Sequence, residues 1–233
     1  ASVILDEVAK VKKIIFHPQM VPAIVILDPM VTTGLPPMLT AATGMDALSH
    51  SLEAWCSPAY HPMAEGIAVE GIRLVREYLP TAVASGSDVE ARTQMLVASM
   101  MGATAFQRGL GAMHALAHPL GALYNAHHGT LNAVLMPYVL IANRQAIEPR
   151  IIHLARSIDI PNASFDSFLE WVLELRETVS IPQNLEDLGI DDNQADLIGK
   201  MAEVDPSGGT NPILFDASQY QSIFMNALNG NLR

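Results

Sequence analysis

Residues 109–137 read GLGAMHALAHPLGALYNAHHGTLNAVLMP, and residues 41–55 read AATGMDALSHSLEAW. Both set residues able to bind a metal four positions apart in a background of small and apolar side chains. Asp46 and His50 form a D-x-x-x-H pair, and His114 and His118 repeat that spacing. On a helix, positions i and i+4 share one face with Cβ atoms about 5–6 Å apart, so both side chains of a pair can reach one ion. The apolar residues around them follow helical spacing. The two stretches predict helices whose inner faces carry chemistry.

Outward from these stretches the chain reads as helical from Pro36 onward. Leu35-Pro36-Pro37 opens a helix with prolines in its permissive first turn, and that helix stops near Ser57-Pro58. Pro62 opens the next, which ends before Pro80. Ser87-Asp88 and Glu90 cap a third reaching Phe106, after which Gly109 and Gly111 break the chain. A fourth helix carries His114 to about Tyr124, interrupted or kinked at Pro119. A fifth starts after Gly129. Further helical patterns occupy roughly 147–157, 164–179, 191–203 and 216–228, separated by turn clusters at Pro161-Asn162, Pro182-Gln183 and Pro206–Asn211. Before all of these, AIVILD at Ala23–Asp28 is a short apolar, β-branched run that reads as one buried strand. One strand followed by so many helices predicts a mainly α fold that looks like the tail of an α/β region joined to a helical domain.

The 233 residues are half apolar and 16 % charged, which excludes a disordered chain. A chain this long buries roughly 70 % of its unfolded surface without disulfide staples. The net charge of −11 speaks against a nucleic-acid backbone or an anionic membrane surface as partner. The longest apolar stretches, Ala98–Phe106 and Leu131–Ala142, are too short to span a bilayer. The single cysteine, Cys56, cannot form an intramolecular disulfide, and a reducing, cytoplasmic compartment fits best. The sequence begins ASVILDEVAKVKK without a methionine, and its order of apolar and charged residues is the reverse of a signal peptide.

Five residues make up the candidate constellation: Asp46, His50, His114, His118 and His128, the last adjoining Gly129. Three imidazoles and one carboxylate suit a borderline divalent ion such as Fe²⁺, Zn²⁺, Co²⁺ or Ni²⁺. Four such ligands either close a structural site or leave open positions for a substrate. A lone histidine on an apolar face is usually a hydrogen-bonded core residue, and Asp46 taken alone reads as an ordinary helix acid. Two i,i+4 pairs on apolar helices are harder to dismiss, because burying polar groups without partners is costly.

The two quoted motifs closely resemble the iron-containing (group III) alcohol dehydrogenase family. The likeness runs along the chain through Lys12 with Pro18, ILDP at 26–29, GLPP at 34–37 and DPSGGTNP at 205–212. The resemblance implies that Asp46, His50, His114 and His128 hold the metal. His128 rather than His127 completes the set, because the family's ligand directly precedes the glycine. It places His118 outside the ligand set, near the nicotinamide and substrate, where it relays a proton or shapes the pocket, and it places Lys12 toward the dinucleotide. It implies Fe²⁺, or Zn²⁺ or another divalent ion in its stead, together with NAD(P), and the interconversion of a primary alcohol or diol with its aldehyde or ketone. Ile213 departs from the family, which often has Arg after Asn-Pro.

No G-x-G-x-x-G follows a strand in this sequence, and Gly109 and Gly111 give only G-x-G after a helical pattern. The resemblance therefore implies that 1–30 is the remnant of an N-terminal α/β dinucleotide-binding domain and 31–233 an all-helical metal-binding domain. With the missing initial methionine, the chain is expected to be a C-terminal metal-binding half, weakly active or inactive alone. A former domain interface left exposed would be a route to a homo-oligomer. Two other readings stand beside this one: a dehydroquinate synthase-like relative, and a non-catalytic helical metal-binding or interaction module. Met95, Met100, Met101 and Met113 read as core gap-fillers, Trp55 and Trp171 as packing residues, and Cys56 as structural. His17, His61, His127 and His153 read as surface or capping residues, and the acids of 185–203 as a solvated helix face.

Overall fold

The computed structural model describes residues 2–15 and 17–232. It opens with a two-stranded antiparallel hairpin, β1 (Ser2–Asp6) and β2 (Val11–Ile15), in the register Ser2↔Ile15 to Asp6↔Val11. Asp6 holds the turn: its carboxylate accepts from the N–H groups of Val8 and Ala9 and pairs with Lys13 at 2.7 Å. Residues 17–36 follow as coil with two short 3-10 turns, and eight α-helices complete the described residues. The chain is mainly α, as expected. The strand placed at Ala23–Asp28 is not there. That run is extended but unpaired, with Ile24, Val25 and Ile26 exposed. Alternation and β-branching prepare a strand, but a strand exists only beside another, and among the described residues none lies alongside this one.

The helices are α1 (Pro37–Cys56), α2 (Pro62–Ala84), α3 (Val89–Ala105), α4 (Ala112–Tyr124), α5 (His128–Ser157), α6 (Phe165–Thr178), α7 (Ala195–Glu203) and α8 (Ala217–Asn229). Their starts obey local chemistry. Asp88 caps α3 by accepting from Ala91, Ser164 and Asp216 form capping boxes on α6 and α8, and the His61 and His127 rings cap α2 and α5. Where expectation and structure differ, burial overrode a local signal. Helix α2 runs through Pro80 instead of ending before it, and α5 runs through Pro137 and Pro149, absorbing the segment expected to stand alone at 147–157. An interior proline costs about 3 kcal/mol. Leu79 and Ala82 flank the first, and Ile147, Ile151 and Leu154 continue the buried face past the last. Each fully buried Leu or Ile contributes about 1.5–3 kcal/mol, enough to carry the helix across the defect. Helix α7 begins at Ala195 rather than 191, because the Asp191 carboxylate bonds the Asn193 N–H and amide in a local turn that competes with helix.

Helix α1 lies at the centre, packed on α2, α3 and α5, while α4 packs on α5 and α7, and β2 touches α4. Its buried residues include Met45, Leu48 and Leu52, which share the core with Leu116 and Leu120 of α4 and Leu131 and Leu135 of α5. A buried arginine joins the end of α1 to the approach to α4. Arg108 donates to the carbonyls of Ala54, Trp55, Ser57 and Ala59 and pairs with Glu65 at 2.9 Å. Those carbonyls include orphan acceptors of a helix C-terminus, where a cation also suits the dipole. Trp55 packs as expected, stacked on His153 and bonded through its indole N–H to the Arg150 carbonyl. Of the four methionines taken as gap-fillers, Met100 is instead exposed.

Candidate metal centre

Helices α1, α4 and α5 each present part of one cluster. Asp46 comes from the middle of α1, His114 from the first turn of α4, and His128 from the first residue of α5. One ligand atom from each lies within 4.8 Å of the others. Asp46 Oδ1 is 4.0 Å from His114 Nε2 and 3.8 Å from His128 Nε2, while its other oxygen faces His50 Nε2 at 4.0 Å. His50 stands outside the three-residue cluster but beside it, its ring stacked on that of His114 at 4.9 Å between centroids. The approach of α5 to α1 depends on Gly129. A Cβ there would lie 2.3 Å from the Ala42 carbonyl oxygen, so the glycine lets α5 start against α1 with His128 facing Asp46.

These separations are too long for hydrogen bonds and suit atoms arranged around a shared ion. The polar accounting points the same way. Asp46 Oδ1, His114 Nε2 and His128 Nε2 all face one shared donor, the Asn132 amide nitrogen, at 2.8, 3.2 and 3.2 Å, while the Ser49 hydroxyl, 3.3 Å from Asp46 Oδ1, lies closer to the Asp46 carbonyl at 2.7 Å and gives its one proton there. An amide has two N–H bonds and cannot satisfy three acceptors at once. Two further buried atoms, His128 Nδ1 and Asn132 Oδ1, have no hydrogen-bond partner among the described residues. Converging lone pairs, left short of donors, fit a cation.

The electrostatics prepare the donors. Burial pushes His50 down to about 4 and His128 down to about 3, against the opposing pull of Asp46. Both rings are therefore neutral near pH 7 and offer lone pairs. Burial also works against the charged form of Asp46, but the surrounding imidazoles and the Asn132 hydrogen bond outweigh it and hold the carboxyl below its usual value. For His114, burial opposes protonation while Glu53 by charge and hydrogen bond, then Asp46 and Asp205, raise its pKa.

His118 lies one turn along α4 from His114, buried, its Nδ1 2.8 Å from Asp205 Oδ2 and its ring stacked on that of His128 at 5.5 Å. Lys12 reaches the same place from β2. Its ammonium lies against α4 where a Cβ on Gly121 would meet it at 3.0 Å, and burial lowers its pKa while Asp46 and Asp205 oppose that. All six residues expected at the site thus converge. Three more went unnoticed. Glu53 lies 2.7 Å from His114 Nδ1, Asn132 faces Asp46 and the rings of His114 and His128, and Asp205 bonds His118. Two carried a readable signal: Glu53 stands three residues after His50, and Asn132 four after His128, each on the face of a named ligand. Asp205 opens the DPSGGTNP stretch that carried part of the resemblance, but nothing in the sequence paired it with His118.

This arrangement defines a helical domain with a histidine–carboxylate cluster at its centre, and comparison with known proteins gives it a lineage. Residues 40–228 match the Fe-containing alcohol dehydrogenase family, C-terminal. The chain belongs to this family. It is 37 % identical over 229 residues to alcohol dehydrogenase 4 of Saccharomyces cerevisiae, a match covering 97 % of this chain and 60 % of that protein. It is 38 % identical over 231 residues to 4-hydroxybutyrate dehydrogenase of Cupriavidus necator, covering 95 % and 59 %. The crystal structure of a 1,3-propanediol oxidoreductase superposes with a TM-score of 0.83 at 36 % identity, covering 86 % of this chain and 55 % of that one. The chain spans about 60 % of the length of these curated relatives. No described helix is long and apolar enough to cross a membrane.

Proposed function

We propose that this chain carries the metal-binding part of an NAD(P)-linked alcohol dehydrogenase, with Asp46, His50, His114 and His128 as the ligands of one divalent ion, Fe²⁺ or Zn²⁺. The observation that carries the reading is the convergence of Asp46, His114 and His128 within 4.8 Å, with His50 against the free oxygen of Asp46. The donor set, nitrogen and carboxylate oxygen without sulfur, accepts Fe²⁺ or Zn²⁺; Zn²⁺ displaces Fe²⁺ on intrinsic affinity, so supply decides which is bound. Such an ion, when bound, supplies Lewis acidity toward an alcohol or carbonyl oxygen.

The chain's own residues supply the rest. His50 and His128, neutral near pH 7, hold lone pairs ready without first releasing protons. His118, kept in place by Asp205, sits beside His128 where it can take or return a proton on the substrate side. Lys12 brings a positive charge to the same mouth, suited to the dinucleotide. Small alcohols, diols and hydroxy acids are the substrate class the relatives' names suggest. The single buried thiol fits a cytoplasmic, reducing setting.

The test is metal content by mass spectrometry of the chain purified anaerobically, with Asp46→Ala and His128→Ala alongside. Near-stoichiometric iron or zinc in the parent, lost in both variants, is expected. Equal metal in parent and variants would overturn the ligand assignment. Steady alcohol-dependent NAD reduction by the 233-residue chain alone would overturn the view that it is one part of the catalyst.

A further inference from the structure

Glu53 belongs to no role assigned so far, yet it is among the most deeply placed carboxylates of the molecule, 4 % exposed. A buried carboxylate survives only with donors around it, and Glu53 has three. Its Oε1 accepts from the Met113 N–H at 2.7 Å, and its Oε2 accepts from the Gly111 N–H at 2.8 Å and faces His114 Nδ1 at 2.7 Å. Helix α4 starts at Ala112 with Gly111 before it, so no local side chain caps the helix. Glu53 from α1 takes two of the free N–H groups, and Asn211 Oδ1 takes that of Ala112 at 3.1 Å. Gly111 admits this clamp, since a Cβ there would lie 2.8 Å from Asn211 Oδ1 and 2.9 Å from Glu53 Oε1. The positive end of the α4 dipole falls on the same carboxylate.

The imidazole contact has a consequence for the metal centre. A carboxylate already filled by two N–H donors can only accept, so the proton between Glu53 and His114 sits on Nδ1. His114 Nε2 then carries its lone pair toward Asp46 and Asn132. Second partners of this kind fix both the tautomer and the plane of a metal-binding histidine. We propose that Glu53 is the positioning residue of the site: it locks His114 in the Nδ1–H tautomer and joins that ring to the start of α4, so that ligand and helix are set as one unit. This deepens the metal reading above and rests on it for its consequence in metal affinity.

Two measurements separate the ideas. Long-range ¹H–¹⁵N correlation on the metal-free chain labelled in histidine, at a pH alkaline enough to leave the His114 ring neutral, reads its tautomer directly. A single Nδ1–H form is expected in the parent and a mixture in Glu53→Gln, whose amide has one acceptor oxygen for three donors. An Nε2–H form in the parent overturns the proposal, even if the variant fails to fold. Zn²⁺ affinity by chelator competition should fall about 10–100-fold in Glu53→Gln. Asn211→Ala, which removes an α4 cap bond without touching His114, should lower the melting temperature but leave the tautomer and the Zn²⁺ affinity unchanged. If Asn211→Ala disturbs both as much as Glu53→Gln, Glu53 is only a helix cap and the proposal fails. If the parent takes up no Zn²⁺, the metal reading fails, while the tautomer still decides the role of Glu53.

Discussion

Two apolar runs in this chain have nearly the same character and opposite fates. Ala23–Asp28 is AIVILD, and residues 132–137 are NAVLMP. Ile26 in the first is 84 % exposed, and Leu135 in the second is 0 % exposed. The difference lies in what each run can find. Residues 132–137 sit in a helix that satisfies its own backbone hydrogen bonds, so burying one face needs only the neighbouring faces of α1, α4 and α6. Residues 23–28 are extended, and their backbone groups stay with solvent unless another strand supplies partners. Helices meet the backbone's needs locally and strands meet them only through tertiary neighbours, which makes the helical part of this sequence self-sufficient in a way the leading segment is not.

The comparison can be broken at several points. Leu135→Ala should cost about 2–5 kcal/mol in unfolding free energy, because it opens a cavity in the shared core. Chemical denaturation checks it, and a loss under 1 kcal/mol would show that the helices are not packed as described. Gly129→Ala should cost about 1–3 kcal/mol through the forced separation of α5 from α1, and it should weaken Zn²⁺ binding as well, since His128 moves with the helix. Unchanged affinity by chelator competition would deny that this close approach sets the site.

Cys56 sharpens the contrast through pH. Burial, the largest influence, pushes its thiol from 9.0 to about 12. The folded state holds that proton after the unfolded chain has lost it, so the thiol's contribution to stability is intact below about pH 9 and is lost as pH rises toward 12. Cys56→Ala should therefore lose stability less steeply than the parent between pH 9 and 11, by up to about 1.4 kcal/mol per pH unit. At pH 8 the folded chain should resist a thiol reagent that reacts at once in denaturant. The smallest effect belongs to the leading run. Ile26→Asp should shift unfolding by no more than about 0.5 kcal/mol, and a larger loss would mean that the segment packs on something.

Much of the helical domain was legible. Cap residues such as Asp88 and the glycines around Gly109 marked boundaries to within a few residues, because these signals act locally. Pro80 misled, because a proline's cost is local while the burial that offsets it is not. At the centre, the i,i+4 pairs named Asp46 with His50 and His114 with His118, since helical spacing is itself a statement about which side chains share a face, while His128 was singled out by the resemblance. Pairing between helices was not legible in the same way. That Glu53 would answer His114 across 61 positions, and Asp205 answer His118 across 87, follows from where α1, α4 and the turn after α7 come to rest.

The sequence by itself determined the helical class, the ligand types and the grouping of each pair on one face, because periodicity and donor chemistry belong to the chain. Only the tertiary structure decided that Asp46, His114 and His128 meet within reach of one ion, that His50 stands at the other carboxylate oxygen, and that AIVILD stays unpaired. Those outcomes depend on the close packing of elements distant in sequence, where a single carbonyl against Gly129 sets the distance between Asp46 and His128.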